Sequence, residues 1–167
     1  MAGGTFKVGI ITASDKGARG EREDLSAGVI KEMIEAIGGR VEAYQVVPDE
    51  REVLKETMVR FADTLKLDLV LTTGGTGFSP RDITPEATRD VVDRLVPGLP
   101  EVMRLEGLKY TPQAMLSRAV AGIRGQTLII NLPGSPKGVR ECLQAVLPAL
   151  PHGLAILKGT AGECARS

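Results

Sequence analysis

Short apolar runs alternate with helix-patterned segments along the chain, and this alternation constrains the fold more than any other feature. The clearest runs are Lys7–Ala13, Val41–Val47, Asp68–Leu71 and Thr127–Leu132. A few consecutive apolar residues bounded by glycine or proline are typical of a buried strand. Strands that alternate with helices form βαβ units, so the chain is predicted to build a mostly parallel sheet with helices on both faces.

The helices are predicted from apolar spacing and from the residues that begin and end them. Asp24 is expected to cap a helix that Gly38-Gly39 terminates, and Asp49 lies three residues before Glu52, as in a capping box. Further helices are predicted up to Lys66 and over Thr84–Leu95, Pro100–Leu108, Val139–Leu147 and Pro151–Leu157, with a fifth strand over Ser117–Ile123. We expect one domain over residues 1–167, with flexible ends at 1–5 and 159–167.

Composition excludes several classes of function. The net charge is +0 and aromatic residues make up 3% with no tryptophan, which argues against a nucleic-acid surface. Cys142 and Cys164 form no CxxC pair, and the single histidine, His152, excludes a His-rich zinc site. No apolar run approaches the ~20 residues of a membrane-spanning helix. A cytoplasmic protein without nucleic-acid or membrane partners is therefore predicted.

Two of the predicted strands end in glycine loops that lead towards helices. Gly74-Gly75-Thr76-Gly77 follows the third strand, and Ser79-Pro80 and Thr84-Pro85 after it each have the pattern of a helix start. Pro133–Gly138 follows the fourth clear strand and contains another Ser-Pro pair. Successive glycines can turn backbone N–H groups towards an anion, and ligands of open α/β sheets bind at the carboxyl ends of strands. The alternative is a plain turn before a capped helix.

Three carboxylates belong to the same predicted rim of the sheet. Asp15, Asp49 and Asp82 all follow strand ends, where they would lie beside the glycine loops. Acids beside an anion site are explained if a divalent cation joins carboxylate to phosphate, since they would otherwise repel the anion. Each acid also has a structural alternative, because Asp49 and Asp82 suit helix caps and Ser14-Asp15 suits a local turn.

Taken together, the motifs resemble the molybdopterin adenylyltransferase family, which includes gephyrin-type domains. The resemblance extends from about Val8 to Lys158 and rests on TTGGTG at 72–77, PRD at 80–82, TPEA at 84–87, VPDE at 47–50, MLSR at 115–118, AGIR at 121–124 and NLPG at 131–134. It implies a three-layer αβα sandwich, usually a trimer. The implied reaction joins ATP and molybdopterin with Mg²⁺, giving adenylyl-molybdopterin and pyrophosphate. The molybdenum insertion protein is an implied partner, and a binding or scaffold module without turnover is the alternative.

The resemblance also assigns residues to roles. It makes Asp49 and Asp82 the catalytic acids and the metal ligands. It assigns nucleotide binding to Ser14, Asp15, Gly74, Gly75, Thr76 and Gly77. It assigns binding of the pterin substrate to Ser117, Pro133, Gly134 and Ser135. The family often has an amide residue where Ser135 stands. Arg81 is either a phosphate ligand or a solvated surface charge.

Overall fold

One six-stranded mixed sheet forms the centre of the computed structural model, which describes residues 5–160. The strands are β1 (Phe6–Ala13), β2 (Gly39–Val47), β3 (Leu69–Thr73), β4 (Arg94–Leu95), β5 (Ala121–Arg124) and β6 (Thr127–Leu132). Their order is β2-β1-β3-β6-β5-β4. The first four strands in that order are parallel, whereas β5 is antiparallel to β6 and β4 to β5. The prediction of a mostly parallel sheet is confirmed.

Helices cover both faces of this sheet. They are α1 (Asp15–Ala18), α2 (Leu25–Glu35), α3 (Arg51–Val59, continued by a π-helical turn to Thr64), α4 (Thr84–Val91), α5 (Gly98–Gly107), α6 (Pro136–Val146) and α7 (Leu150–Lys158). Successive strand residues point to opposite faces, so Ile10 packs in the apolar layer with α2, α5, α6 and α7. Its neighbour Ile11 packs in the layer with α3 and α4. The result is the expected three-layer αβα sandwich.

Local signals explain where several helices begin. Asp24 accepts a hydrogen bond from the Ala27 amide at 3.1 Å, as predicted for the cap of α2. Ser135 caps α6 by accepting from Gly138 N at 3.1 Å, with Pro136 as the first helical residue. The expected capping box at Asp49 is wrong, because Glu50 occupies the N-cap of α3 and makes no side-chain cap bond. The Asp49 carboxylate is therefore left for other contacts.

The region after α4 differs most from the sequence prediction. The helix expected over Thr84–Leu95 ends at Val91, and the next residue, Val92, is extended with φ −85° and ψ 147°. Arg94–Leu95 then forms the edge strand β4 against β5. The strand expected over Ser117–Ile123 begins only at Ala121. A two-residue edge strand is stabilised by its pairing with a distant partner, and that pairing leaves little local signal.

The predicted flexible ends fall mostly on 1–4 and 161–167, which lie outside the described residues. Gly159 adopts φ +75° and closes α7 as a left-handed cap. Within residues 5–160, every helix is too short or too polar to cross a membrane.

Candidate active site

Two adjoining cavities open at the carboxyl ends of β1, β3 and β6. The first, of about 760 Å³, is lined by Ser14, Asp49, Gly74, Gly75, Asp82 and Gly134, among others. The second, of about 250 Å³, is lined by Thr76, Gly77, Ser117, Pro133 and Cys142, among others. Ser135 lines both cavities, so they meet at this residue. The Gly74–Gly77 loop runs from the first cavity into the second.

Glycine is required in this loop because other parts of the site pack against it. Gly74 and Gly75 have φ values of +96° and +70°, a region that L-residues rarely adopt. A Cβ at Gly74 would collide with the Ala13 carbonyl oxygen at the end of β1. A Cβ at Gly75 would collide with Thr84 Oγ1 and lie 3.2 Å from Asp49 Oδ1. The loop is thus held against β1, Asp49 and the start of α4.

The carbonyl groups of Gly75, Thr76 and Gly77 are each bonded within the protein. Gly75 O accepts from Thr84 N at 3.2 Å, and Thr76 O accepts from Arg118 N at 2.9 Å. Gly77 O accepts from Arg118 Nε at 2.8 Å. In contrast, the amides of Gly75, Thr76 and Gly77 donate to no acceptor in residues 5–160. A loop with bonded carbonyls and free N–H groups has the polarity of an anion-binding nest.

Asp49 has one fixed oxygen and one buried oxygen without a partner. Oδ2 accepts from the Asp15 amide at 3.1 Å, which fixes the orientation of the carboxylate. Oδ1 and the hydroxyl of Thr84 are both buried and make no hydrogen bond within the described chain, and both lie beside Gly75. Burial raises the pKa of Asp49, and the nearby charges of Asp15 and Asp82 add to this increase. A buried carboxylate oxygen without a donor is suited to a cation.

Asp82 holds a turn where the sequence predicted a helix start. Its Oδ2 accepts from the Ser79 amide at 3.0 Å, and its own amide bonds to Ser79 O at 2.9 Å. The segment around Ser79-Pro80 is this turn, and α4 begins only at Thr84, after Ile83 as N-cap. The helix start predicted at Ser79-Pro80 is therefore wrong, whereas the one predicted at Thr84-Pro85 is present. A Cβ at Gly77 would lie 2.9 Å from Asp82 Oδ2, so the absence of a side chain leaves room for this carboxylate.

Asp15 does not line either of the two cavities described above. Its carboxylate forms a bidentate pair with Arg81, with Nε–Oδ2 at 3.0 Å and Nη2–Oδ1 at 2.9 Å. Asp15 Oδ1 also accepts from the Asp49 amide at 2.9 Å. The hydrogen bonds from Arg81 and from the Asp49 amide lower the pKa of Asp15. Arg81, predicted as a phosphate ligand or a solvated charge, is paired with Asp15 in this structure.

The three predicted site serines share one local role. Ser14 Oγ accepts from Gly17 N at 2.9 Å, and Ser117 Oγ accepts from Ala119 N at 3.3 Å. Ser135 Oγ caps α6, as described above. Each hydroxyl still carries an O–H that can donate to a ligand. The structural and the binding interpretations of these serines are therefore compatible.

Arg118 is the main site residue that the sequence analysis missed. In addition to its bonds to the glycine loop, its Nη2 donates to Asp82 O at 2.7 Å and its Nη1 pairs with Glu86 at 2.7 Å. These partners lie more than 30 positions away in the sequence, so no local pattern indicates them. Its position directly after Ser117 in the MLSR motif was the only available signal.

A second missed feature lies on the wall of the first cavity. Asp24 Oδ2, beyond its role as a helix cap, accepts from the Thr12 hydroxyl at 2.5 Å and from the Tyr44 hydroxyl. All three residues line the cavity. Burial and the neighbouring Asp24 raise the pKa of Tyr44 to about 12, so its hydroxyl remains a hydrogen-bond donor at neutral pH.

Comparison with known proteins agrees with this architecture. Residues 9–152 match the family model described as "Probable molybdopterin binding domain". The chain is 47% identical over 157 residues to a molybdopterin adenylyltransferase of Helicobacter pylori strain J99, covering 93% of this chain and 89% of that protein. It is 40% identical over 156 residues to the molybdopterin adenylyltransferase of Escherichia coli K12, with coverages of 90% and 80%.

A solved structure extends the similarity to three dimensions. The molybdopterin biosynthesis enzyme MoaB of Thermus thermophilus superimposes with a TM-score of 0.88 at 58% identity, over 92% of this chain and 97% of that one. The chain therefore belongs to the molybdopterin-binding domain family. The resemblance found from the sequence motifs is confirmed.

Proposed function

We propose that the protein is a molybdopterin adenylyltransferase, which transfers AMP from ATP to the phosphate of molybdopterin and releases pyrophosphate. The observation that carries the proposal is the Gly74–Gly77 loop, in which three amides have no acceptor within residues 5–160 and belong to residues that line the two adjoining cavities. Such a loop can hold a phosphoryl group between two bound substrates. The names of the relatives support the choice of ATP and molybdopterin.

In the proposed reaction a phosphate oxygen of molybdopterin attacks the α-phosphorus of ATP. A new P–O bond forms, and the bond to the leaving pyrophosphate breaks. No protein nucleophile is required, so the protein contributes positioning and charge compensation. The amides of Gly75, Thr76 and Gly77 would hold the phosphate at the junction of the cavities. The O–H groups of Ser117 and Ser135 would donate to the pterin substrate in the second cavity.

Mg²⁺ is part of the proposal, and the residues present fit it. The buried Asp49 Oδ1 has no hydrogen-bond donor in the described chain, and Asp82 lines the same cavity. The described residues contain no group of three or more His, Cys, Asp or Glu side chains that could hold a metal. Asp49 and Asp82 would therefore share the ion with phosphate oxygens and water, as is usual for Mg²⁺ at phosphate sites. When bound, the ion would neutralise charge on the phosphates.

Oligomeric state, partners and location belong to the same proposal. We expect a homotrimer, and its support is a group of exposed apolar side chains on α5 and the segment after it: Val102, Leu105, Leu108, Met115 and Leu116. Exposed apolar residues in such numbers are typical of an interface. A cytoplasmic location suits the free thiol of Cys142, and the molybdenum insertion protein remains the expected recipient of the product.

The test measures pyrophosphate release with ATP and molybdopterin, each alone and together, with Mg²⁺ or with EDTA. We expect release only with both substrates and Mg²⁺. Calorimetry should show tighter ATP binding with Mg²⁺ than with EDTA. Binding of molybdopterin without any pyrophosphate release would contradict the enzyme and favour the binding module. Light scattering at micromolar concentration should give a trimer mass, and a monomer mass would contradict the assembly.

A further inference from the structure

Three segments that follow strand ends carry the residues around the two proposed acids, and one ion pair joins them. Asp15 follows β1, Asp49 follows β2, and Arg81 lies beside Asp82 in the turn that precedes α4. Arg81 is bonded to both carboxylate oxygens of Asp15. The pair thus joins the turn that holds Asp82 to the ends of β1 and β2.

The link from this ion pair to Asp49 is direct. Asp15 and Asp49 exchange hydrogen bonds, because the carboxylate of each accepts from the backbone amide of the other. Asp15 Oδ1 is shared between Arg81 Nη2 and the Asp49 amide. Asp49 Oδ2 is fixed by this exchange, which leaves Oδ1 beside Gly75. The orientation of the Asp49 carboxylate therefore depends on Asp15.

The ion pair between Arg81 and Asp15 counteracts the repulsion between two carboxylates. Asp49 and Asp82 carry like charges and line the same cavity, so their loops tend to separate when no cation lies between them. Arg81 lies in the turn that holds Asp82 and is bonded to Asp15, and Asp15 is bonded to Asp49. The Arg81 side chain is 58% exposed, and an exposed ion pair contributes little to folding because water and salt screen it. The role of the pair is therefore better explained by the loop positions that it fixes than by a contribution to the free energy of unfolding.

We propose that Arg81 and Asp15 are positioning residues, which hold the Asp49 and Asp82 carboxylates at the separation that a divalent cation requires. The proposal deepens the proposed function and rests on it for the identity of the ligand. It differs from the interpretation of Arg81 as a phosphate ligand, since Arg81 acts here through Asp15. Asp15 acts through Asp49 and makes no contact with the nucleotide.

The first test needs no ligand and compares backbone amide exchange in three variants. Arg81→Ala alters no group bonded to the Asp49 amide, and Asp15→Asn alters no group in the Ser79–Asp82 turn. Each variant should nevertheless speed exchange in the other loop about threefold, at the Asp49 amide and the Ser79 amide respectively, which is the size of effect that loss of an exposed ion pair allows. The control is Arg51→Ala, because the Arg51–Asp90 pair is also bidentate and similarly exposed, at 50% and 28% against 58% and 29%.

The second test measures the ATP dissociation constant by calorimetry with Mg²⁺ and with EDTA. In Arg81→Ala and in Asp15→Asn the improvement due to Mg²⁺ should fall about tenfold, with ATP affinity in EDTA within about twofold of wild type. The double variant should lose no more of the Mg²⁺-dependent gain in ATP affinity than either single variant, because each substitution breaks the same Arg81–Asp15 ion pair. Arg51→Ala should match wild type in both measurements.

The outcomes separate this proposal from the proposed function. If exchange is faster at both reporter amides in these variants but the wild-type protein binds no ATP, the nucleotide function is refuted. The coupling of the two loops by the Arg81–Asp15 pair then still holds. Unchanged exchange at the Asp49 and Ser79 amides would overturn the proposal that Arg81 and Asp15 are positioning residues. Weaker ATP binding in EDTA for Arg81→Ala, with no effect of Asp15→Asn, would make Arg81 a direct phosphate ligand and would also overturn it.

Discussion

The two glycine-containing junctions of the sheet contain the same Ser-Pro pair and fold differently. At residues 133–138, Ser135 caps α6 and Pro136 begins it. At residues 73–84, the Ser79-Pro80 pair lies in a turn, and α4 begins only at Thr84. The serine is the acceptor in the first case, whereas in the second Asp82 accepts from the serine's own amide. One dipeptide therefore gives a helix start or a turn, depending on which side chain provides the bond.

The junctions also differ in what fixes their carbonyl groups. In the junction at 133–138, the Pro133 and Gly134 carbonyls accept from two hydroxyls, those of Thr73 and Ser26. In the junction at 73–84, the carbonyls of Thr76, Gly77 and Asp82 all depend on the single residue Arg118. Only the junction at 73–84 depends on one distant residue for several of its carbonyl bonds. Substitutions at matched positions should therefore have unequal effects.

The largest difference is expected for Asp82→Asn, which retains an oxygen to accept from the Ser79 amide but removes the negative charge. If Asp82 helps hold Mg²⁺, adenylylation should slow about a hundredfold, which corresponds to ~3 kcal/mol of lost transition-state stabilisation. The thermal midpoint should change little. Single-turnover adenylylation of molybdopterin, paired with thermal melts, measures both. Turnover near the wild-type rate would remove Asp82 from the catalytic residues.

Arg118→Lys should weaken ATP binding about tenfold, since the single nitrogen of an ammonium group cannot reach all three acceptors that the three guanidinium nitrogens bond. The loss of bonds to partly buried carbonyls should also lower stability by about 1–3 kcal/mol. Arg124→Lys is the nearest control, because the Arg124 side chain also bonds one carboxylate and is similarly buried, although it bonds one carbonyl where Arg118 bonds two. Calorimetry with ATP, together with chemical unfolding, separates the two effects. Equal losses of ATP affinity in both variants would show that Arg118 has no special role in the loop.

The same distinction between local and distant bonds explains what the sequence could predict. The strands of the parallel sheet and the caps at Asp24 and Ser135 follow from residues within a few positions of one another. The edge strand β4 requires pairing with β5, which lies beyond α5 in the chain, so its residues were assigned to a helix. Local rules predict an element well when its stabilising bonds are local.

The candidate site divides in the same way. Every residue that the motif resemblance assigned to the site lines one of the two cavities, except Asp15, whose carboxylate turns to Arg81. The bonds of Arg118 could not be predicted from its place in the MLSR motif, because its partners come from the glycine loop, the Ser79–Asp82 turn and α4. Motifs indicate which residues gather at a site, but the bonds between segments determine which of them face the ligand.

Asp49→Asn should raise the thermal midpoint at neutral pH, because it removes a charge that burial and the neighbouring Asp15 and Asp82 disfavour. The folded-state pKa of Asp49 is raised above the ordinary value of 3.8, so the folded protein binds this proton more tightly than the unfolded chain does. Wild-type stability is therefore lost as pH rises from 3.8 through the folded pKa, and the variant avoids this loss. Thermal melts of both proteins from acid to neutral pH measure the difference, which should vanish at the acid end. A variant that is less stable than wild type at neutral pH would show that the charge on Asp49 does not destabilise the folded protein.

The smallest expected effects come from the two serines themselves, and they test the difference between the two junctions most directly. Ser135→Ala removes the cap of α6 and should cost about 0.5–2 kcal/mol, a fall of roughly 2–4 °C in the thermal midpoint for each kcal/mol. Ser79→Ala should change stability by less than about 0.5 kcal/mol, because the turn uses the backbone groups of Ser79 and its side chain is exposed. Parallel thermal melts give both values under one condition. Equal losses would mean that the Ser79 hydroxyl also caps a turn in solution, and the contrast between a capped helix and a turn held by Asp82 would then fail.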